Sequence, residues 1–215
     1  MSGGSHGDAA ARCCPAGVVT RIIAPAMRRL QEDRPGQKII AEIMSYYEIV
    51  AAVASGRVDL GFVKAPVEHP ALDSMDLVTV GTDVVLLEDH PLARKHQIDP
   101  TDLRSESLIL LGRNRPFRVQ LDQMFLHAGI SPEVLIETQA VSAACSFVRE
   151  GLGVTIANAL LARGESGAGL VCRPFSSALQ LSFSLAYLKN PSRPRTLATF
   201  SHHIRDVSHE ILQMR

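Results

Sequence analysis

Apolar positions along this chain follow two rhythms, one of three to four residues and one of short continuous runs. In residues 18–30, Val18, Val19, Ile22, Ile23, Ala26, Met27 and Leu30 recur at helical spacing and predict an amphipathic helix. Pro25 inside that stretch predicts a kink or a late start, and Arg34, Pro35 and Gly36 end it. Residues 38–44 read as a buried strand. Ser45 is placed to cap the next helix, and Glu48 three residues later completes a capping-box pattern. Gly56 ends that helix, and residues 58–63 form the strand that follows. The same order of helical pattern, glycine and short apolar run returns in residues 150–158. Each of these segments is the helix-to-strand half of a βαβ crossover, so each predicts a parallel sheet of its own.

Between and beyond them the elements alternate. Residues 66–70 form a loop, and residues 75–87 hold one or two strands. Asp99 and Pro100 start a short helix, as a cap and a first-turn proline do. Residues 107–111 are strand and 118–128 helix, with Val119, Met124, Phe125 and Leu126 toward the apolar side. Strand 134–138 leads to helix 141–150, with Ser142 or Gln139 near its cap. Strand 154–157, a short helix at 159–163, a loop at 164–169 and strands at 170–175 and 179–188 follow. A final amphipathic helix over 196–214 carries Leu197, Phe200, Ile204, Val207 and Ile211.

The fold class is therefore α/β, with two Rossmann-like lobes joined by a hinge. The expected division is a tag-like, poorly ordered N-terminus over 1–17, lobe I over 18–78, lobe II over 79–178, and a return to lobe I over 179–215. Two crossings of this kind permit closure around a ligand held between the lobes.

Composition narrows the function. The 215 residues carry 22 basic and 22 acidic side chains, so the formal net charge is zero. A nucleic-acid-binding domain usually shows a basic excess, because phosphate neutralisation supplies much of its affinity. This chain alone is not expected to grip DNA. Trp is absent and Tyr occurs three times, which argues against an aromatic platform for single strands. The four cysteines, Cys13, Cys14, Cys145 and Cys172, match no zinc or redox spacing and read as free thiols, with Cys145 in the core. No apolar run approaches the roughly 20 residues that span a bilayer, and the first residues lack the basic and apolar regions of a secretory signal. A cytoplasmic location is expected. No GxSxG, HExxH, P-loop or GxGxxG sequence occurs, and the eight histidines are scattered, His202 and His203 reading as solvent-facing. No catalytic residue, cofactor or metal ligand is assigned.

Four segments in order carry a resemblance: residues 56–61 (Gly-Arg-Val-Asp-Leu-Gly), His90-Pro91-Leu92-Ala93, Asp102-Leu103 ahead of the strand at 107–111, and Gly151-Leu152-Gly153-Val154. Together they resemble the effector-binding domain of LysR-type transcriptional regulators over about residues 18–215. Glu137-Thr138-Gln139, Cys145 and residues 151–158 look most like regulators of opine and amino-acid catabolism. The resemblance implies a type 2 periplasmic-binding-protein-like fold. It also implies a small carboxylate effector, a homodimer or homotetramer pairing through helix 18–30 and strand 38–44, and DNA contact only through a domain absent from this chain. Two departures stand out. The family's winged helix-turn-helix is missing, and residues 9–17 make a poor strand where the family has an apolar one. A stand-alone solute-binding protein of a transport system is the alternative, disfavoured by the lack of a signal peptide. No membrane partner is expected.

In an open α/β sheet, ligands sit beyond the carboxyl ends of the strands, near helix N-termini that favour carboxylates. On that rule the candidate ligand-binding residues are Ser45, Tyr46, Lys64, Arg113, Thr138, Gln139, Ser142 and Asn158. Each has a plainer reading. Ser45, Thr138 with Gln139 and Ser142, and Asn158 are equally helix caps, and Lys64 and Arg113 are equally solvated surface cations.

Overall fold

The computed structural model describes residues 9–14, 16–44, 46–189 and 195–213, with side chains from residue 17 onward except that of Tyr46. It divides into two compact units, Met1–Val78 with Ser182–Glu210 and Thr79–Leu181 with Ile211–Arg215.

The first unit opens with strand β1 (Ala9–Cys14) and a helical stretch made of α1 (Ala16–Val18), a π-helical turn (Val19–Ile23) and α2 (Ala24–Asp33). Pro25 explains the turn. It stands in the first turn of α2, and a proline has no N–H to give to the preceding turn, so the backbone widens there instead of breaking. Strand β2 (Lys38–Ile43), helix α3 (Tyr46–Ala54), strand β3 (Leu60–Lys64) and strand β4 (Leu72–Val80) complete this first pass. The second unit contains β5 (Thr82–Leu87), β6 (Ser107–Leu111), α4 (Pro116–His127), β7 (Glu133–Thr138), α5 (Val141–Arg149), β8 (Val154–Asn158), α6 (Ala159–Gly164) and β9 (Leu170–Pro174). Short 3-10 turns at Pro91–Arg94 and Pro100–Leu103 link β5 to β6. The second opens on an Asp99–Asp102 capping box. Strand β10 (Leu181–Leu188) and helix α7 (Arg195–Gln213) close the chain.

Each unit holds a five-stranded sheet, ordered β2-β1-β3-β10-β4 in the first and β7-β6-β8-β5-β9 in the second. Neither is purely parallel, which corrects the expectation from the two crossover segments. β1, β2 and β3 run parallel but β10 lies antiparallel to β3, and β5 lies antiparallel to both β8 and β9. The crossovers fix the direction only of the strands that they join.

Three further expectations need correction. Residues 9–14 form a strand despite their weak composition. β1 pairs with β2 over six residues and with β3 at Arg12 and Cys13, so hydrogen bonds on both sides stand in for a strong strand propensity. β2 is not buried. It lies at the sheet edge, with Ile40 and Ile43 51% and 64% exposed. The buried stripe of α4 is Phe117, Arg118, Leu121 and Phe125, whereas Val119 and Leu126 face solvent.

The cores match the apolar runs. In the first unit Ile49, Ala52 and Val53 of α3 pack with Val58, Val63, Leu72 and Ala186. A Cβ on Gly61 would stand 2.5 Å from Ile49 Cγ2, so α3 rests directly on β3 at that glycine. In the second unit Val84, Val85, Leu108, Ile109, Leu110, Ala144, Cys145, Val148 and Ile156 are fully buried. Gly153 has φ +144°, and a Cβ there would collide with the Ser107 carbonyl, so the chain enters β8 only through glycine. α7 buries Leu197, Phe200, Ile204 and Val207, and meets α2 through Arg29–Glu210 at 2.6 Å and His203–Asp33 at 2.8 Å. His203 is thus half-buried and partnered rather than solvent-facing, while His202 is exposed.

Candidate functional site

The carboxyl ends of β6, β7 and β8 are neighbours in the second sheet, and the amino end of β5 meets them because β5 runs the other way. The turns leaving those strands carry Gly112 to Arg115, Thr138 to Ala140, and Asn158. Gly112 N donates to the Thr138 carbonyl at 3.0 Å, and Arg115 Nη2 donates to the Gln139 carbonyl at 2.6 Å. The Gln139 carboxamide lies across Gly112, where an added Cβ would stand 2.5 Å from its Nε2. Two turns that are distant in sequence thus form one braced rim, and glycine at 112 makes the room for the glutamine.

Charge at this rim is organised around Glu137. Arg113 Nε donates to Glu137 Oε1 at 2.6 Å, and Arg118 Nη1 stands 3.5 Å from the same oxygen. Arg118 is 3% exposed; it also donates to the Leu111 carbonyl at 2.9 Å and to Asp122 at 2.8 Å. The hydrogen bond from Arg113, with the charges of both arginines, holds the Glu137 carboxyl below its ordinary value of 4.5.

The expected residues fall as follows. Arg113, Thr138, Gln139 and Ser142 come together at the ends of β6 and β7 and the start of α5. Arg113 is largely exposed and paired with Glu137, Thr138 and Ser142 are half-buried, and Gln139 is exposed. Neither Gln139 nor Ser142 caps α5. Its N-cap is Ala140, which offers no side-chain acceptor to the first-turn amides. Asn158 is 8% exposed and caps α6, its Oδ1 accepting from Leu161 N at 3.0 Å. In the first unit, Lys64 ends β3 opposite Phe183. It is half-buried and has no ion-pair partner among the described residues. Ser45 lies outside the described residues, as does the side chain of Tyr46.

Sequence reasoning missed Glu137 as the partner of Arg113, and Arg118 as the buried charge behind it. It also missed the hydroxyl pair Thr82–Ser177 at 2.8 Å, beside Asn158 through the pairing of Thr82 with Asn158. The arginine-rich turn after β6 is a signal for the first two, but the pairing needs the strand register.

A cavity of about 250 Å³ opens at the opposite end of these strands, where β6 and β8 begin and β5 ends, against Leu87, His90, Glu106, Ser107 and Leu152. Two of its polar side chains, His90 and Glu106, are engaged. His90 Nδ1 accepts from Leu92 N, and Nε2 stands 3.4 Å from Glu106. Among the described residues there is no cluster of three or more His, Cys, Asp or Glu that could hold a metal ion, and no helix long and apolar enough to cross a membrane.

The family model of the LysR substrate-binding domain matches residues 13–208. The chain belongs to that family. Two curated relatives of this LysR-family domain are the transcriptional activator protein LysR of Escherichia coli and the regulatory protein NocR of Agrobacterium tumefaciens. The first is 29% identical over 71% of this chain and 49% of its own length, the second 24% identical over 81% and 58%. The chain spans about half the length of such relatives. Among solved structures, the reduced OxyR regulatory domain of Pseudomonas aeruginosa superposes with a TM-score of 0.76 at 21% identity, covering 94% of this chain and 96% of that one. The BenM effector-binding domain with its effector benzoate superposes at 0.73 and 19%, covering 96% and 95%. These likenesses give the fold, type 2 periplasmic-binding-protein-like. Family and relatives are regulators rather than enzymes, and a transport-associated solute-binding protein is not favoured.

Proposed function

We propose that this LysR-family domain senses a small carboxylate, an amino acid or opine-like molecule, and through it controls transcription by a DNA-binding domain outside this chain. The observation that carries the reading is the braced rim at the carboxyl ends of β6, β7 and β8, in a chain of a substrate-binding family. Arg113 supplies the guanidinium for a carboxylate, and Gln139 and Ser142 supply neutral donors beside the uncapped start of α5. Asn158 keeps its NH₂ for a ligand while its oxygen caps α6. Thr138 completes this set, and Lys64, Ser45 and Tyr46 are the proposed ligand-binding residues of the first unit. The ligand moves a conformational equilibrium only as far as its affinities for the two states differ. Exposed Ile40 and Ile43 on the free edge of β2 support pairing of copies into a homodimer or homotetramer, in the cytoplasm.

The test is a thermal-shift screen of the purified chain against opines, basic amino acids, simple organic acids and aromatic acids. A ligand at about a hundred times its Kd adds roughly 2.7 kcal/mol, several degrees for a chain of this size. A rise confined to one carboxylate class is expected. A sharp transition that no carboxylate moves contradicts the ligand class.

A further inference from the structure

The two arginines that face Glu137 are not equivalent. Arg118 is buried and tied to the Leu111 carbonyl and Asp122, so its position is set by the fold. Arg113 is 75% exposed along its side chain, and Glu137 is its ion-pair partner. Glu137 therefore holds one fixed cation and one that is free to leave. We infer that Glu137 is the resident counter-ion of the effector site. It occupies Arg113 in the ligand-free protein and yields it to an incoming carboxylate while keeping Arg118. This rests on the reading of Arg113 as an effector-binding residue.

The consequence is an affinity threshold. Glu137 takes one hydrogen bond from Arg113, through Nε, so a carboxylate that replaces it there makes no net gain in charge-assisted hydrogen bonds. A bare carboxylate thus gains little from Arg113 beyond what Glu137 already provides. Selectivity passes to ligands that also engage neutral groups of the rim, Gln139 and Ser142. Removing the charge at 137 while keeping the side-chain length lowers that threshold for every carboxylate, because Arg113 then has no anion to give up.

The experiment follows the Nε–Hε resonance of Arg113 by NMR while benzoate, and separately acetate, is titrated to high millimolar concentration into the wild type and Glu137→Gln. Apparent affinity at Arg113 is expected to rise about two- to five-fold in Glu137→Gln, the range that an exposed ion pair commands. Glu137→Asp, which draws the carboxylate back by one methylene, is expected to fall between the two and serves as a second variant should the first fold poorly. Equal or weaker binding in both variants, with the Arg113 resonance responding, overturns the counter-ion role and leaves the proposed site standing. No response of Arg113 in any of the proteins removes it from the site, and overturns both.

Discussion

Nε of Arg163 stands 2.7 Å from Oδ2 of Asp83, a carboxylate on β5 that is 2% exposed. The same guanidinium reaches Asp83 Oδ1 at 3.4 Å and donates to the Leu212 carbonyl at 2.7 Å. Such a pair does little for stability while intact, but losing one partner strands a charge. Arg163→Ala is expected to cost about 3–5 kcal/mol, roughly ten degrees of Tm for a chain of this size. Asp83→Leu combined with Arg163→Met is expected to recover most of that loss. Urea melts of the wild type, single and double variants check this.

Gly61 carries the weight of α3 on β3. Gly61→Ala places a methyl 2.5 Å from Ile49 Cγ2 and 3.0 Å from Val53 Cγ2. Overpacking of this kind costs about 1–3 kcal/mol. Trimming Ile49 to Val in the Gly61→Ala background is expected to restore part of the loss, read by the same melts.

The thiol of Cys172 is pushed up to about 12, first by burial and then by the nearby Asp83 charge. Cys145 is fully buried. Only a thiolate reacts readily. Alkylation by iodoacetamide at pH 8, followed by mass spectrometry, is expected to leave both residues unmodified in the folded protein over times that fully label the urea-unfolded chain. Rapid labelling of Cys172 in the folded protein contradicts its environment as described.

Asp102, Glu137 and Glu210 are all held below their ordinary pKa, first by hydrogen bonds from Lys95, Arg113 and Arg29 respectively. The folded protein therefore binds fewer protons than the unfolded chain in acid. The stability that these pairs contribute is present above the ordinary values of 3.8 and 4.5 and is lost as the pH falls through the lowered ones. Tm is expected to be level near pH 6 and to fall below about pH 4.5, with a shallower fall in Glu210→Gln.

Much of this architecture is legible along the chain. The helix–glycine–strand segments around Gly61 and Gly153 report close packing that only glycine allows, and the periodicity of α7 marks its buried face. What eludes sequence reading depends on partners distant in the chain. β1 is a strand because β2 and β3 flank it, and β2 looks like core because Ile39, Ile40 and Ile43 are apolar although the strand ends a sheet. Nothing along the chain singles out Arg118, yet it is buried, with the Leu111 carbonyl, Asp122 and Glu137 around its guanidinium. At the rim, Arg113 and Gln139 are visible as polar residues after strands. Their bracing appears only once β6 and β7 lie in register, Leu111 beside Thr138.

The most direct test of the proposed site is hydrogen–deuterium exchange with and without the carboxylate that raises Tm most. Slowed exchange at residues 112–116, 138–143 and 158–161 is the result expected if the ligand sits at the carboxyl ends of the strands. Protection confined to residues 87–90, 105–107 and 151–153, which line the cavity at the other end of these strands, would contradict it.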